Sequence, residues 1–187
     1  KYTHTLQSHC VQIPASFLAD RKPLPAAPFA EGVDRLKIGY FSADFRSHPV
    51  GQLVVEAFES HDRSRFEVFG YSLGIDDASP LRQRLASAFE HFVDLSGASF
   101  TETARRIRSD GIHILIDLSG WTADGRPESL AMRCAPIQVN WLGYPGTMGH
   151  PNLADYLLGD RMVTPLEDAP YYTEALVNLP GSYMPVD

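Results

Sequence analysis

Apolar residues recur along this chain in two alternating rhythms, short continuous runs and longer stretches with helical spacing. Leu36–Ser42 is a short apolar run that predicts a strand. In Val50–Ser60 the apolar residues Leu53, Val54, Ala57 and Phe58 fall on one helical face. Phe66–Ser72 predicts the next strand, and Ser79-Pro80 then opens a helix that runs to about Glu90. Serine suits the cap and proline the first turn, where its missing N–H is not needed. Phe92–Leu95 reads as a short strand, and Thr101–Ser109 as a helix with Thr101 as the cap candidate and Ala104 and Ile107 on one face. Asp110-Gly111 ends that helix, because glycine adopts the left-handed conformation of a helix stop. Ile112–Leu118 is β-branched and almost continuously apolar, which predicts a central strand buried on both faces. Pro127–Arg133 reads as a short helix and Ile137–Leu142 as a strand, with weaker strand candidates at Tyr156–Leu158 and Ala175–Leu179. Such alternation predicts an α/β fold, a Rossmann-like doubly wound parallel sheet.

The text before Arg35 has a different character. Tyr2–Leu18 could form a helix that ends before Pro23, and Pro23, Pro25 and Pro28 make a stiff, extended linker. The chain therefore divides into a helical and linker segment over 1–34 and an α/β lobe over 35–187, with no internal repeat.

Composition narrows the partners. With 187 residues, 44% hydrophobic and 21% charged, the chain suits a soluble domain with a substantial core. No apolar run approaches the ~20 residues that span a bilayer, and the polar start at Lys1–Cys10 lacks the apolar region of a signal peptide. No membrane partner and a cytoplasmic location are expected, with Cys10 and Cys134 as free thiols. A net charge of -7 argues against nucleic acid as the main partner. It leaves room for a phosphorylated small ligand, which backbone N–H groups at helix N-termini can hold. The seven histidines show no metal-ligand spacing and the cysteines stand far apart, so no metal and no other cofactor is expected.

In open α/β sheets, ligands bind beyond the carboxyl ends of the strands, where strand order reverses. Three loops belong there: Ser42–Pro49, Ser119–Arg126 and Gly143–Gly149. In the first, Asp44 and His48 are close enough for an aspartate to orient an imidazole. The same residues also fit a helix cap beside a surface histidine. In the second, Arg126 could bind a phosphate or carboxylate, or pair with Asp124 or Glu128. The third lacks the lysine and spacing of a phosphate loop. Its Gly143, Gly146 and Gly149 allow close backbone approach to a ligand, or simply a tight turn. His61, His91 and His113 read as structural.

Taken in order, the motifs Ser42-Ala43-Asp44-Phe45-x-x-His48-Pro49, Asp117-Leu118-x-Gly120-Trp121-Thr122 with Arg126, and Ala135-Pro136-Ile137-Gln138-Val139-x-Trp141-Leu142-Gly143-Tyr144-Pro145-Gly146-Thr147 are far more specific than any one loop. The series, with Asp155-Tyr156 beyond it, resembles the catalytic region of O-linked N-acetylglucosamine transferases and their SPINDLY relatives, from Arg35 to Asp187. The resemblance implies one lobe of a GT-B glycosyltransferase. Its donor-binding C-terminal lobe lies outside this chain, and tetratricopeptide repeats are expected upstream. It implies transfer of a sugar with inversion, expected to be N-acetylglucosamine from UDP-N-acetylglucosamine, to Ser or Thr hydroxyls of a protein or peptide acceptor. Asp44 matches an aspartate linked to proton transfer and His48 a histidine near the donor sugar, without fixing which takes the proton. Pro49, Leu142, Gly143 and Pro145 match positions lining the sugar pocket, and Arg126 a loop arginine near the cleft. Gly120, Thr122, Tyr144, Gly146 and Thr147 join the substrate-binding set through the same motifs. Val50 and Ser119 depart from the threonine and asparagine of animal members, which leaves N-acetylglucosamine and fucose both open as the sugar. The alternative reading is a binding module that keeps the fold without turnover. An unrelated Rossmann domain ranks last, since no Gly-x-Gly-x-x-Gly follows the first strand. The lobe alone is expected not to transfer sugar.

Overall fold

A computed structural model describes residues 32–185 together with Phe17, Ala19, Arg21, Pro23 and Leu24. Apart from Phe17, the expected helix over Tyr2–Leu18 lies outside the described residues, as do Cys10, Pro25 and Pro28. The strands are β1 (Leu36–Ser42), β2 (Phe66–Ser72), β3 (His91–Asp94), β4 (Ile114–Asp117), β5 (Ile137–Trp141), β6 (Tyr156–Gly159) and β7 (Ala175–Asn178). Between them run the helices α1 (Pro49–Glu59), α2 (Pro80–Ala88), α3 (Phe100–Ser109) and α4 (Pro127–Leu130), and a 3₁₀ turn over Leu166–Tyr171. Every strand pair is parallel, and the order is β3-β2-β1-β4-β5-β6-β7. The direction of winding reverses between β1 and β4. No helix among the described residues is long and apolar enough to cross a membrane.

Side chains alternate across the sheet, so each central strand feeds two cores. Ile38 and Tyr40 of β1 join Val54 and Phe58 of α1 and Leu85 of α2 on one face. Phe41 of the same strand joins Ala104 and Ile107 of α3 and Leu130 of α4 on the other. Phe17 and Leu24 pack on this second core. The Phe17 ring stands 5.7 Å from that of Trp121, and Leu24 N–H donates to the Met132 carbonyl at 2.8 Å.

Three local expectations are corrected. The cap of α3 is Ser99 rather than Thr101. Ser99 Oγ accepts from Glu102 N–H, and the Glu102 carboxylate accepts from Ser99 N–H at 2.9 Å, a reciprocal pair that Thr101 lacks the spacing to form. The ladder of β4 is shorter than the apolar run, although single bonds from His113 N–H to Lys37 O and Leu118 N–H to Phe41 O prolong it at both ends. Helix α4 stops at Leu130, with Arg133 in the left-handed region at φ 57°. His61, His91 and His113 make structural contacts, as expected: His113 Nδ1 accepts from Lys37 N–H, His61 bonds the Tyr40 hydroxyl, and His91 meets Glu67. Cys134 is a buried free thiol.

Candidate active site

The β1–α1 loop is pinned at its centre by Phe45, whose fully buried ring packs edge-on against Phe58 at 5.8 Å and beside Phe89 at 5.4 Å. That anchor sets the residues on either side of it. Asp44 is almost buried and donates its N–H to Ser42 Oγ at 2.9 Å. His48 is itself the cap of α1: its Nδ1 accepts the Val50 N–H at 3.2 Å, and Pro49 takes the first turn. The cap is therefore the histidine, not Asp44. With Nδ1 accepting, a neutral His48 carries its proton on Nε2. Asp44 Oδ1 stands 3.6 Å from His48 Nδ1, too far for a hydrogen bond, so the two lie side by side without the aspartate gripping the imidazole. Arg46 approaches the same Asp44 oxygen at 3.4 Å.

Beyond β4, the buried Asp117 carboxylate accepts Ser119 N–H and Gly120 N–H, each at 2.9 Å. Burial pushes its carboxyl up to about 6, against those two hydrogen bonds. Ser119, also buried, accepts the Ala43 N–H on its Oγ at 3.2 Å and so ties the loops of neighbouring strands together. Thr122 closes the turn by donating to Ser119 O at 2.7 Å.

The β5 loop approaches both. A β-carbon on Gly120, whose φ is +54°, would lie 2.6 Å from Tyr144 Cβ, and one on Gly143 would lie 2.1 Å from the Leu118 carbonyl oxygen. Leu142 enters this turn at φ 73°, unusual for a branched residue. Asn140 donates to the carbonyls of Tyr144 and Gly146 at 2.8 and 3.1 Å. Glu174, buried just before β7, accepts Met148 N–H at 2.6 Å and the Thr147 hydroxyl at 2.8 Å.

At the reversal of strand order these loops enclose a cavity of about 160 Å³ whose lining includes Asp44, Arg46, His48, Val50, Thr122 and Gly143. Of the residues singled out in the sequence, it unites Asp44, His48, Thr122 and Gly143. Gly120, Leu142 and Tyr144 build the packed turns around it, Gly146 lies against the Tyr144 ring, and Pro49 and Pro145 are exposed. The Thr147 hydroxyl is committed to Glu174. Arg126 lines a neighbouring space, and its guanidinium pairs with neither Asp124 nor Glu128. It donates to the carbonyls of Leu95, Ala98 and Ser96 at 2.9, 2.8 and 2.8 Å, clasping the β3–α3 turn.

Three supports escaped the sequence reading: Ser119 as a bridge between loops, Glu174, and Arg82, which reaches Phe45 O from α2. Arg82 and Glu174 are ordinary charged residues in the sequence, and only their long-range contacts reveal them.

The chain is 42% identical over 186 residues to a probable UDP-N-acetylglucosamine–peptide N-acetylglucosaminyltransferase of Arabidopsis thaliana, covering 94% of this chain and 18% of that protein. It is 45% identical over 150 residues to the UDP-N-acetylglucosamine–peptide N-acetylglucosaminyltransferase of Caenorhabditis elegans, covering 80% and 13%. A probable SPINDLY transferase of Oryza sativa matches at 35% identity over 152 residues, covering 80% and 16%. Among solved structures, a point mutant of the Thermobaculum terrenum O-GlcNAc transferase superposes with a TM-score of 0.80 at 36% identity, over 88% of this chain and 32% of that one. The chain thus spans less than a fifth of these curated relatives and about a third of the solved chain. The model of glycosyl transferase family 41 matches residues 21–187, and the chain belongs to that family.

Proposed function

We propose that this chain is the N-terminal catalytic lobe of an inverting glycosyltransferase that moves N-acetylglucosamine from UDP-N-acetylglucosamine to Ser or Thr hydroxyls of cytoplasmic proteins. A second lobe of the same enzyme holds the nucleotide. The observation that supports this best is the cavity at the strand-order reversal, where Asp44 and His48 stand side by side. The names of the relatives supply the donor and the peptide acceptor.

The proposed chemistry follows from the two side chains. The acceptor oxygen bonds to the anomeric carbon from the face opposite the diphosphate. The carbon–oxygen bond to the diphosphate breaks, and UDP leaves with the electron pair. The hydroxyl proton needs an acceptor as this happens, and a positioned group contributes typically ~10²–10⁴-fold. Neutral His48 offers an N–H at Nε2, so it serves as a donor to the sugar or its leaving oxygen, and the Asp44 carboxylate takes the proton.

The test is the full-length protein incubated with labelled UDP-N-acetylglucosamine and labelled GDP-fucose, following hydrolysis and transfer to protein separately. Transfer of N-acetylglucosamine is the expected result. Donor binding with neither hydrolysis nor transfer would assign the fold to a binding module instead.

A further inference from the structure

A second, larger space opens beside the cavity of Asp44 and His48, with a volume of about 440 Å³, within the range of ligand sites. It lies over the turns that follow β2 and β3, at the same sheet edge. Arg46 lines both spaces.

The walls of this groove have a definite chemistry. Ile75 is 68% exposed and Phe100 is 41% exposed, two large apolar side chains with open faces at one groove. Arg126 beneath them offers little to an anion, since its guanidinium is spent on the carbonyls of Leu95, Ser96 and Ala98. Arg46 has more to give. Its side chain is 31% exposed, and its NH2 group meets Asp44 at only 3.4 Å. The groove therefore suits a ligand that brings an apolar side chain and a carbonyl oxygen, and suits a nucleotide diphosphate poorly.

We infer that this groove holds the acceptor polypeptide beside its reacting hydroxyl, seating an apolar side chain between Ile75 and Phe100 and a backbone carbonyl on Arg46. Successive side chains of an extended chain point to opposite sides, so an apolar residue on the same side as the reacting serine or threonine stands an even number of positions from it, two being the nearest. This inference rests on the proposed transferase activity and adds to it a sequence preference in the acceptor.

The full-length enzyme is tested with UDP-N-acetylglucosamine and synthetic peptides that carry one serine and either leucine or glycine two residues to one side of it. Wild-type enzyme is expected to favour leucine on one side by about tenfold in acceptor KM, the scale of one apolar contact. Ile75→Ser and Phe100→Ser, both at exposed positions, are expected to erase that preference while donor hydrolysis and melting temperature stay unchanged. A preference that survives both substitutions overturns the assignment, as does its absence from the wild type. A lowered melting temperature with the preference intact gives the groove to another part of the enzyme's own chain, and also overturns it. Transfer without preference removes only the groove. No transfer to any acceptor removes the proposed function itself, and the groove assignment with it.

Discussion

The Arg82 guanidinium reaches from α2 to the Phe45 carbonyl, 2.8 Å away, in the middle of the loop that carries Asp44 and His48. This arginine is only 4% exposed. The Ser72 hydroxyl accepts from it, Asp94 lies at 3.5 Å, and the Phe92 ring centre lies 4.6 Å from its carbon. A buried carbonyl without its donor costs about 1–3 kcal/mol. Arg82→Met should therefore lower stability by roughly that amount and slow turnover further, because the loop loses its fixed position. Arg82→Lys should fall between the two, since one ammonium cannot serve Phe45, Ser72 and Asp94 at once. Denaturation curves beside turnover per folded molecule check this. Full turnover in folded Arg82→Met would show that the contact stabilises the fold without positioning the site.

Burial at Asp117 sets a pH dependence with a definite sign. Its folded carboxyl titrates at about 6, above the ordinary 3.8. As pH rises through about 4, the unfolded chain releases this proton while the folded chain keeps it, so stability falls. The loss is complete above about pH 6 and amounts to at most roughly 3 kcal/mol. Asp117→Asn cannot ionise and loses one of the two acceptors for Ser119 and Gly120 N–H. It should be the less stable protein at pH 4, with the gap narrowing towards pH 7. Parallel stability curves for the two proteins would contradict the assignment.

Gly143 and Gly97 make a matched pair. A β-carbon on Gly143 meets the Leu118 carbonyl oxygen at 2.1 Å, a backbone atom of the fully buried residue after β4, whereas one on Gly97 meets nothing within 4 Å. Gly143→Ala must push apart the loops that enclose the cavity, and Gly97→Ala need move nothing. The first should lose several kcal/mol of stability or fail to fold, at the upper end for single substitutions, and the second should be neutral to within about 0.5 kcal/mol. Thermal melts of the two variants decide it.

Most of the architecture was legible because it is written in local pattern. The apolar run at Ile112–Leu118 marks a strand with cores on both faces, and Ser79-Pro80 marks a helix start. Those signals fix the strand–helix alternation, and alternation fixes which loops share the carboxyl edge. The supports of the site were not legible, for a physical reason. Ser119 holds Ala43 across 76 residues of chain, Glu174 holds Met148 across 26, and Arg82 holds Phe45 across 37. Nothing in a local window distinguishes such residues from solvated ones. The helix-cap alternative at Asp44 fails for a different reason: aspartate is the better capping residue by type, but it lies a turn too early, and the side chain at the cap position is His48.

That placement separates two roles of His48 that a single substitution would confuse. His48→Ala deletes the imidazole and also strands the Val50 N–H, which costs about 1 kcal/mol as a lost cap. Asparagine is among the best capping residues, so His48→Asn should keep the start of α1 near wild-type stability while removing the ring. If the imidazole donates to the donor sugar or its leaving oxygen, both variants should lose turnover together, and only His48→Ala should also melt earlier. Asp44→Asn caps nothing and keeps its size, so it should turn over slowly, by ~10²-fold or more if it takes the proton, with donor affinity nearly unchanged. Melting temperature, donor affinity and rate, measured for all three in the full-length protein, distinguish the roles. Wild-type turnover in folded His48→Asn would reduce the histidine to a cap, and wild-type turnover in Asp44→Asn would take the proton away from Asp44.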